Sequence, residues 1–142
     1  MLHGIDPLLT PDLLHSLAAM GHGDSIAIVD ANFPAASCGR TIHHLPGLDA
    51  TAVLRAVLTL LPLDSFVPNP AATMQQVGDP EAVPVAVQDL ADALAERGHP
   101  HPLSVERFAF YDLVRSCFAI VQTGEQRAYG NILLTKGVIF GP

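Results

Sequence analysis

A histidine between two glycines, His22, is the residue whose type and setting best suit proton transfer. Its neighbours Gly21 and Gly23 carry no side chain that would cover the imidazole ring. Histidine is also the side chain whose proton affinity lies nearest to neutral pH, as general acid catalysis requires. The alternative is a surface histidine in a loop that ends a helix, because glycine is common just after a helix.

Asp30 is the second candidate, and an almost wholly apolar run from Ser25 to Val29 separates it from His22. The run predicts a short strand that is buried on both faces. Open α/β sheets bind ligands outside the carboxyl ends of their strands, so Asp30 could hold ligand hydroxyls or act as a base. The alternative is that Asp30 caps the loop that follows.

Two further groups carry the donors and acceptors that a polar ligand needs. Arg107 stands against aromatic residues in Arg107-Phe-Ala-Phe-Tyr111, and arginine supplies a fork of donors for ligand oxygens. Tyr129-Gly130-Asn131 places a phenol and an amide around a glycine that lets the backbone come close. The alternatives are an arginine paired with a surface acid and a tight turn before a strand.

The histidine pairs His43-His44 and His99-Pro-His101 do not predict a metal site. Adjacent histidines on a strand point to opposite faces and cannot easily share one ion. No cysteine or carboxylate stands beside either pair at a recognised spacing. A phosphate-binding glycine-rich loop and a Gly-x-Ser-x-Gly nucleophile elbow are also absent from the sequence.

Composition narrows the class of protein. The 142 residues are 49% apolar and only 15% charged, which favours a globular chain that covers part of its surface by self-association. The net charge of −7 argues against a nucleic-acid or anionic-membrane partner. Two cysteines without metal spacing, Cys38 and Cys117, favour a reducing cytoplasm. No signal peptide or membrane-spanning segment is expected.

Helical and strand patterns alternate along the chain. The predicted helices cover residues 11–20, 49–61, 84–97 and 108–116. The predicted strands cover residues 25–29, 41–45, 71–77, 103–106, 118–121 and 131–134. Residues 31–40 are predicted to form a loop. This alternation predicts an α/β fold, a single three-layer α/β/α domain over residues 1–142 with a mixed, mostly parallel sheet. Leu113 and Val83 are expected to face the core, and Thr51 the outer side of its helix.

Five groups of residues occur in order: Met20-Gly-His-Gly-Asp24; Asp30-Ala-Asn-Phe-Pro34; Arg107-Phe-Ala-Phe-Tyr111; Phe118-Ala-Ile-Val121 with Thr123-Gly-Glu125; and Tyr129-Gly-Asn-Ile-Leu-Leu134 with Lys136-Gly-Val138. In sequence and spacing they resemble the L-fucose mutarotase / D-ribose pyranase family, and the resemblance runs from residue 7 to residue 138. The ribose branch tends to have a histidine near the position of Arg107 and Gly-His-Thr-Asp in the opening motif. The resemblance therefore favours the fucose branch.

The resemblance implies an isomerase that interconverts sugar anomers by acid–base ring opening, without a metal or organic cofactor. His22 would be the proton donor, and Asp30, Arg107 and the triplet Tyr129-Gly130-Asn131 would bind the monosaccharide. The base stays open between Asp30, Tyr129 and water. Ribose-type pyranose–furanose exchange and a non-catalytic sugar-binding module are the alternatives. The resemblance also implies a homo-oligomer, typically a decameric ring of two pentamers.

One geometric difficulty remains between His22 and Asp30. Five strand residues span about 16 Å at the usual rise, which is too far for both side chains to close on one small sugar. Either the segment is bent or shorter than predicted, or neighbouring subunits complete each site. The second possibility predicts a pocket at or near a subunit boundary.

Overall fold

A computed structural model describes residues 1–39 and 41–142. The helices are α1 (Pro11–Ala19), α2 (Ala35–Cys38), α3 (Ala50–Leu58), α4 (Val85–Ala95) and α5 (Arg107–Arg115); the strands are β1 (Ser25–Val29), β2 (Ile42–Leu45), β3 (Ala71–Met74), β4 (Leu103–Val105), β5 (Ala119–Thr123) and β6 (Ile132–Thr135). The prediction that residues 31–40 form a loop is wrong at α2, a single helical turn whose short, small-residue sequence carries no periodic pattern. Arg40, the last residue of that predicted loop, lies outside the described residues.

Local hydrogen bonds explain where three of the helices begin. The hydroxyl of Thr10 accepts the backbone N–H of Leu13, and a proline occupies the first position of α1. The carboxylate of Asp49 accepts the backbone N–H of Ala52 at 2.7 Å at the start of α3. Glu106 accepts two backbone N–H groups at the start of α5. Each cap satisfies amides that have no partner within the helix itself.

The six strands form one sheet in the order β2-β5-β1-β6-β3-β4. β1 and β2 both pair parallel with β5, and β3 pairs parallel with β4. β6 is antiparallel to both of its neighbours, β1 and β3. The predicted mixed, mostly parallel sheet is confirmed. Because β6 runs in the opposite direction, its amino end lies at the edge where β1 and β3 have their carboxyl ends.

The core is divided between the two faces of this sheet, as the alternation of side chains along a strand requires. Ile26 and Ile28 of β1 pack into a cluster that includes side chains from α1, α3 and α4. Ala27 and Val29 point to the other face and pack with side chains from α2 and α5. Helices therefore cover both faces, which confirms the three-layer α/β/α prediction.

Three predictions about individual side chains are wrong. Leu113 is 41% exposed, because Phe110 and Val114 already form the narrow inner face of α5. Val83 is 51% exposed, since α4 begins only at Val85 and Val83 precedes the helix. Thr51 is buried rather than solvent-facing, because α4 packs beside α3 over the same sheet face.

In the part of the chain that the structure describes, no helix combines the length and apolar character needed to cross a bilayer.

Candidate active site

A cavity of about 300 Å³ opens at the sheet edge where β1, β3 and β4 end and β6 begins. This volume is at the small end of the range for ligand pockets. Its lining residues are Asp30, Asn32, Phe33, Met74, Val77, Arg107, Tyr111, Ala128, Tyr129 and Asn131. Four of the predicted site residues, Asp30, Arg107, Tyr129 and Asn131, therefore meet in one cavity.

Asp30 and Asn131 are joined by two hydrogen bonds. The Asn131 side-chain oxygen accepts the backbone N–H of Asp30 at 2.8 Å, and its Nδ2 donates to Asp30 Oδ2 at 3.1 Å. Both residues are buried, and Asp30 Oδ1 accepts the backbone N–H of Asn32. Burial raises the pKa of Asp30, although the hydrogen bonds from Asn32 and Asn131 oppose that change. A buried carboxylate with fixed direction is suited to accept hydrogen bonds from ligand hydroxyls.

The turn that carries Tyr129, Gly130 and Asn131 is tightly built. Tyr129 has φ +64°, a left-handed conformation that non-glycine residues seldom adopt and that is often found at functional sites. Its hydroxyl accepts the backbone N–H of Val77 at 3.0 Å. A Cβ at Gly130 would lie 2.5 Å from Cγ of Glu125. Gly130 is not a lining residue but allows the turn to approach the buried acid beneath it.

Glu125 is a buried acid that packs against Gly130, behind the turn that carries Tyr129. Its carboxylate accepts hydrogen bonds from Nε and Nη2 of Arg127 at 3.0 Å each and from the Arg127 backbone N–H at 2.9 Å. The Arg127 guanidinium lowers the pKa of this buried carboxyl group. The Glu125 carbonyl also accepts the backbone N–H of Ala31 at 2.9 Å. Glu125 thereby ties the loop after Asp30 to the turn that carries Tyr129.

Arg107 is the first residue of α5 and is exposed at the rim of the cavity. Its Nε donates to the hydroxyl of Tyr111 at 3.1 Å, one helical turn further on. The guanidinium carbon lies 5.5 Å from the ring centroid of Tyr111 and 5.4 Å from that of Phe108. The aromatic rings hold the guanidinium plane, while the terminal nitrogens have no hydrogen-bond partner among the described residues and can donate to ligand oxygens.

The sequence interpretation missed the apolar wall of the cavity. Phe33 packs edge-on against Tyr111 with 5.3 Å between ring centroids, and Met74 and Val77 also line the cavity. Phe33 and Tyr111 occur within the motifs around Asp30 and Arg107, so those motifs could have indicated them. Met74 is the last residue of β3 and Val77 lies in the turn that follows it, and neither residue carries a local chemical signal.

His22 does not line this cavity. It lies in the loop before β1, at the opposite edge of the sheet from Asp30. The loop is held between α1 and the end of β6: Gly23 N–H donates to the Lys136 carbonyl, and Lys136 Nζ donates to the carbonyls of Leu17 and Met20. The imidazole is half-exposed, and its Nε2 lies 3.2 Å from Oδ1 of buried Asp64. One chain therefore separates the predicted proton donor from the predicted sugar-binding residues.

His43, one histidine of the two pairs, has a contact within the protein. Nε2 of His43 lies 2.8 Å from the buried hydroxyl of Ser16. This hydrogen bond joins β2 to α1, so the His43 imidazole has a structural role. Across residues 1–39 and 41–142, no group of three or more histidine, cysteine, aspartate or glutamate side chains is arranged to hold a metal ion.

Comparison with known proteins links this geometry to a family. The model of the RbsD / FucU transport protein family matches residues 3–139. Fucose mutarotase of Homo sapiens is 44% identical, over 97% of this chain and 94% of its own. The structure of the fucose mutarotase from Streptococcus pneumoniae in complex with L-fucose has a TM-score of 0.91 and 35% identity, with 98% and 100% of the two chains covered. Bacillus subtilis RbsD complexed with D-ribose has a TM-score of 0.78 and 23% identity over 99% of both chains, a likeness of fold alone.

Proposed function

The chain belongs to the RbsD / FucU transport protein family, and we propose that it is a mutarotase, an isomerase that interconverts the α and β anomers of L-fucose or a related monosaccharide. The observation that carries this proposal is the cavity in which Asp30, Arg107, Tyr129 and Asn131 meet, in a chain 44% identical to a fucose mutarotase. In this proposal residues 1–142 form a single mutarotase-like domain.

The cavity has the chemistry that a monosaccharide needs. The Asp30 carboxylate accepts hydrogen bonds from sugar hydroxyls, and Arg107 and Asn131 donate to sugar oxygens. Tyr129 adds a flat ring with one hydroxyl, and Gly130 lets the turn that carries it lie close to Glu125. Phe33 and Met74 provide an apolar wall, which suits the carbon face or methyl group of a deoxy sugar. Holding the hydroxyls in this way keeps the open-chain form in place until it closes again.

Mutarotation requires two proton transfers. A proton delivered to the ring oxygen and one removed from the anomeric hydroxyl open the hemiacetal, the aldehyde rotates, and the reverse transfers close the ring on the other face. His22 delivers the proton to the ring oxygen. Asp30 is the carboxylate among the described lining residues and is the acceptor that the cavity offers, with Tyr129 or water as the alternatives. No redox step or covalent intermediate is required.

Two copies of the chain contribute to each site in this proposal. His22 lies at one edge of the sheet and the cavity at the other, so a neighbouring copy must bring its His22 to the cavity. Exposed aromatic side chains flank both parts of the proposed shared site. Phe66 and Phe140 lie near His22, and Phe108 lies beside Arg107 at the cavity. Exposed apolar groups of this size favour burial against another surface. The family resemblance favours a homo-oligomer in the form of a decameric ring of two pentamers.

A cytoplasmic location belongs to the same proposal. Its support is the state of the two cysteines, Cys38 and Cys117, which are both free thiols, as is usual in reducing compartments. Burial raises the pKa of the Cys117 thiol to about 11, so this side chain stays protonated at neutral pH. It therefore has the character of a packing residue and not of a nucleophile.

The test is anomer exchange measured by saturation-transfer NMR at catalytic protein concentrations, with fucose, galactose and ribose side by side. The proposal predicts faster exchange between the α and β pyranoses of fucose. Ribose-type activity would instead appear as faster pyranose–furanose exchange of ribose. A non-catalytic binding module would perturb the sugar resonances without changing any exchange rate, and that result would contradict the proposal.

A further inference from the structure

The segment that carries Asp64 holds a carboxylate against the imidazole of His22. Asp64 is only 6% exposed although it lies in a connection without regular secondary structure. Its backbone N–H donates to the carbonyl of Thr135 at 3.0 Å, and its Oδ1 accepts the backbone N–H of Phe66 at 3.0 Å. The same Oδ1 lies 3.2 Å from Nε2 of His22. Hydrogen bonds to backbone groups thus hold Asp64 in place independently of its contact with the histidine.

The surroundings leave this arrangement little freedom. A Cβ at Gly137 would lie 2.5 Å from the carbonyl oxygen of Leu63, so the residues around Asp64 are packed directly on the backbone that follows β6. On the other side, the ring of Phe66 packs against the imidazole with 5.5 Å between centroids at an angle of 47°. One nitrogen and one face of His22 therefore have fixed neighbours within the chain.

The chemistry of a carboxylate decides which nitrogen of His22 carries the proton. The backbone N–H of Phe66 and the His22 imidazole hold the pKa of Asp64 below its usual range, so its side chain is ionised at neutral pH. An ionised carboxylate only accepts hydrogen bonds, so Nε2 must be the protonated nitrogen of the neutral ring. Nδ1 has no hydrogen-bond partner among the residues that the structure describes.

We infer that Asp64 is a positioning residue that anchors His22 through Nε2 and leaves Nδ1 as the nitrogen that exchanges a proton with the sugar. This inference rests on the proposed function, because it assigns an atom to the proton transfer proposed for His22. In the forward step the protonated imidazole acts as the acid: Nε2–H stays with Asp64 while the Nδ1 proton moves to the ring oxygen, as the bond between that oxygen and the anomeric carbon breaks. The ring is then neutral, with its remaining proton on Nε2. The anomeric hydroxyl loses its proton to the acceptor in the cavity, and Nδ1 recovers a proton when the ring closes.

The tautomer of His22 can be read directly from the ¹⁵N chemical shifts of its ring in the full-length protein, with His22→Gln used to assign the signal. At a pH where the ring is neutral, we expect the proton on Nε2 in the wild type. Asp64→Ala should spread the proton over both nitrogens and lower kcat for anomer exchange by about tenfold with little change in KM. Asp64→Asn keeps a side-chain oxygen for both hydrogen bonds, so it should keep the Nε2–H tautomer and recover part of kcat.

Asp24→Asn is the matched control. It removes a carboxylate two residues from His22 whose hydrogen bond goes to the backbone of Gly21 and not to the imidazole. In Asp24→Asn, both the tautomer of His22 and kcat for anomer exchange should match those of the wild type. A proton on Nδ1 in the wild type, or an Asp64→Ala protein that retains wild-type kcat, overturns the inference. If Asp64→Ala does not fold, Asp64→Asn still decides, because loss of the Nε2–H tautomer in that variant contradicts the anchoring. A wild type that shows the Nε2–H tautomer but no catalysis refutes the proposed function while leaving the anchoring by Asp64 intact.

Discussion

His22 and Asp30 lie at opposite ends of β1, which runs without interruption from Ser25 to Val29. At the usual rise a strand of this length separates its ends by about 16 Å. Asp30 lines the cavity and His22 does not. The strand is not shortened, so a site that uses both residues must take them from different copies of the chain.

Mixing two inactive variants should therefore restore activity. His22→Gln removes the proton donor, and Arg107→Met removes a sugar ligand at the other edge. In randomly mixed oligomers a shared site has both residues intact in about a quarter of cases, so roughly a quarter of wild-type kcat should return. Co-expressed variants would be purified and tested by anomer-exchange NMR. A mixture no more active than the two variants measured separately would show that each site belongs to one copy.

His22→Gln alone should reduce kcat for anomer exchange by about a hundredfold, the contribution typical of a positioned general acid. Sugar binding should be retained, because the cavity residues are unchanged. His15→Gln is the control, since His15 is an exposed residue of α1 that takes no part in the proposed site. An His22→Gln enzyme with the exchange rate of the control would remove His22 from the mechanism.

Asp30 should give activity a dependence on pH. Burial raises its pKa above the ordinary value of 3.8, so the carboxylate becomes protonated at a higher pH than an exposed aspartate. The ionised carboxylate of Asp30 accepts hydrogen bonds from the sugar hydroxyls, and protonation weakens this role. The value of kcat/KM should therefore fall as the pH decreases through the raised pKa of Asp30. Asp30→Asn should lower kcat/KM and remove that acidic limb, whereas Asp79→Asn in an exposed turn should leave the profile unchanged. The measurement is kcat/KM against pH, and an acidic limb that persists in Asp30→Asn would assign it to another group.

The ion pair between Glu125 and Arg127 should affect stability. Arg127→Met leaves the buried carboxylate of Glu125 without its cationic partner, although the backbone N–H of residue 127 still donates to it. We expect the free energy of unfolding to fall by about 1–3 kcal/mol, less than for a fully buried ion pair, because the guanidinium is 41% exposed. Arg127 lowers the pKa of Glu125, so this stabilisation is present above the ordinary pKa of 4.5 and is lost as pH falls through the lower folded-state pKa.

Urea unfolding at neutral pH and at pH 3 would measure the effect of Arg127→Met. Its destabilisation should shrink at the lower pH, as Glu125 becomes protonated. Arg115→Met is the matched control, because Arg115 pairs with Asp112 in an exposed i,i+3 arrangement and should contribute less than about 1 kcal/mol. Equal losses in the two variants would mean that burial of Glu125 does not strengthen its pairing.

Local patterns were enough to predict much of the fold. β1 has the predicted limits, because four consecutive apolar residues, Ile26 to Val29, between the polar residues Ser25 and Asp30 are both a strand signal and a burial signal. The predicted start at Asp49 agrees with the N-cap of α3, where the Asp49 carboxylate accepts the N–H of Ala52, only three residues further on. Leu113 was mispredicted because helical periodicity indicates an apolar face but not how much of it a particular sheet will cover.

By itself, the sequence determined the short elements, their α/β alternation and the family to which the chain belongs. Only the tertiary structure decided that β6 runs antiparallel between β1 and β3, which brings Asn131 to Asp30 across 101 positions of sequence. It also brought Asp64, an acid in a segment without periodicity, to His22 across 42 positions. Caps and periodicity arise from contacts between residues a few positions apart, whereas strand neighbours and strand direction depend on packing the whole core. That packing also places His22 and Asp30 at opposite edges of one sheet.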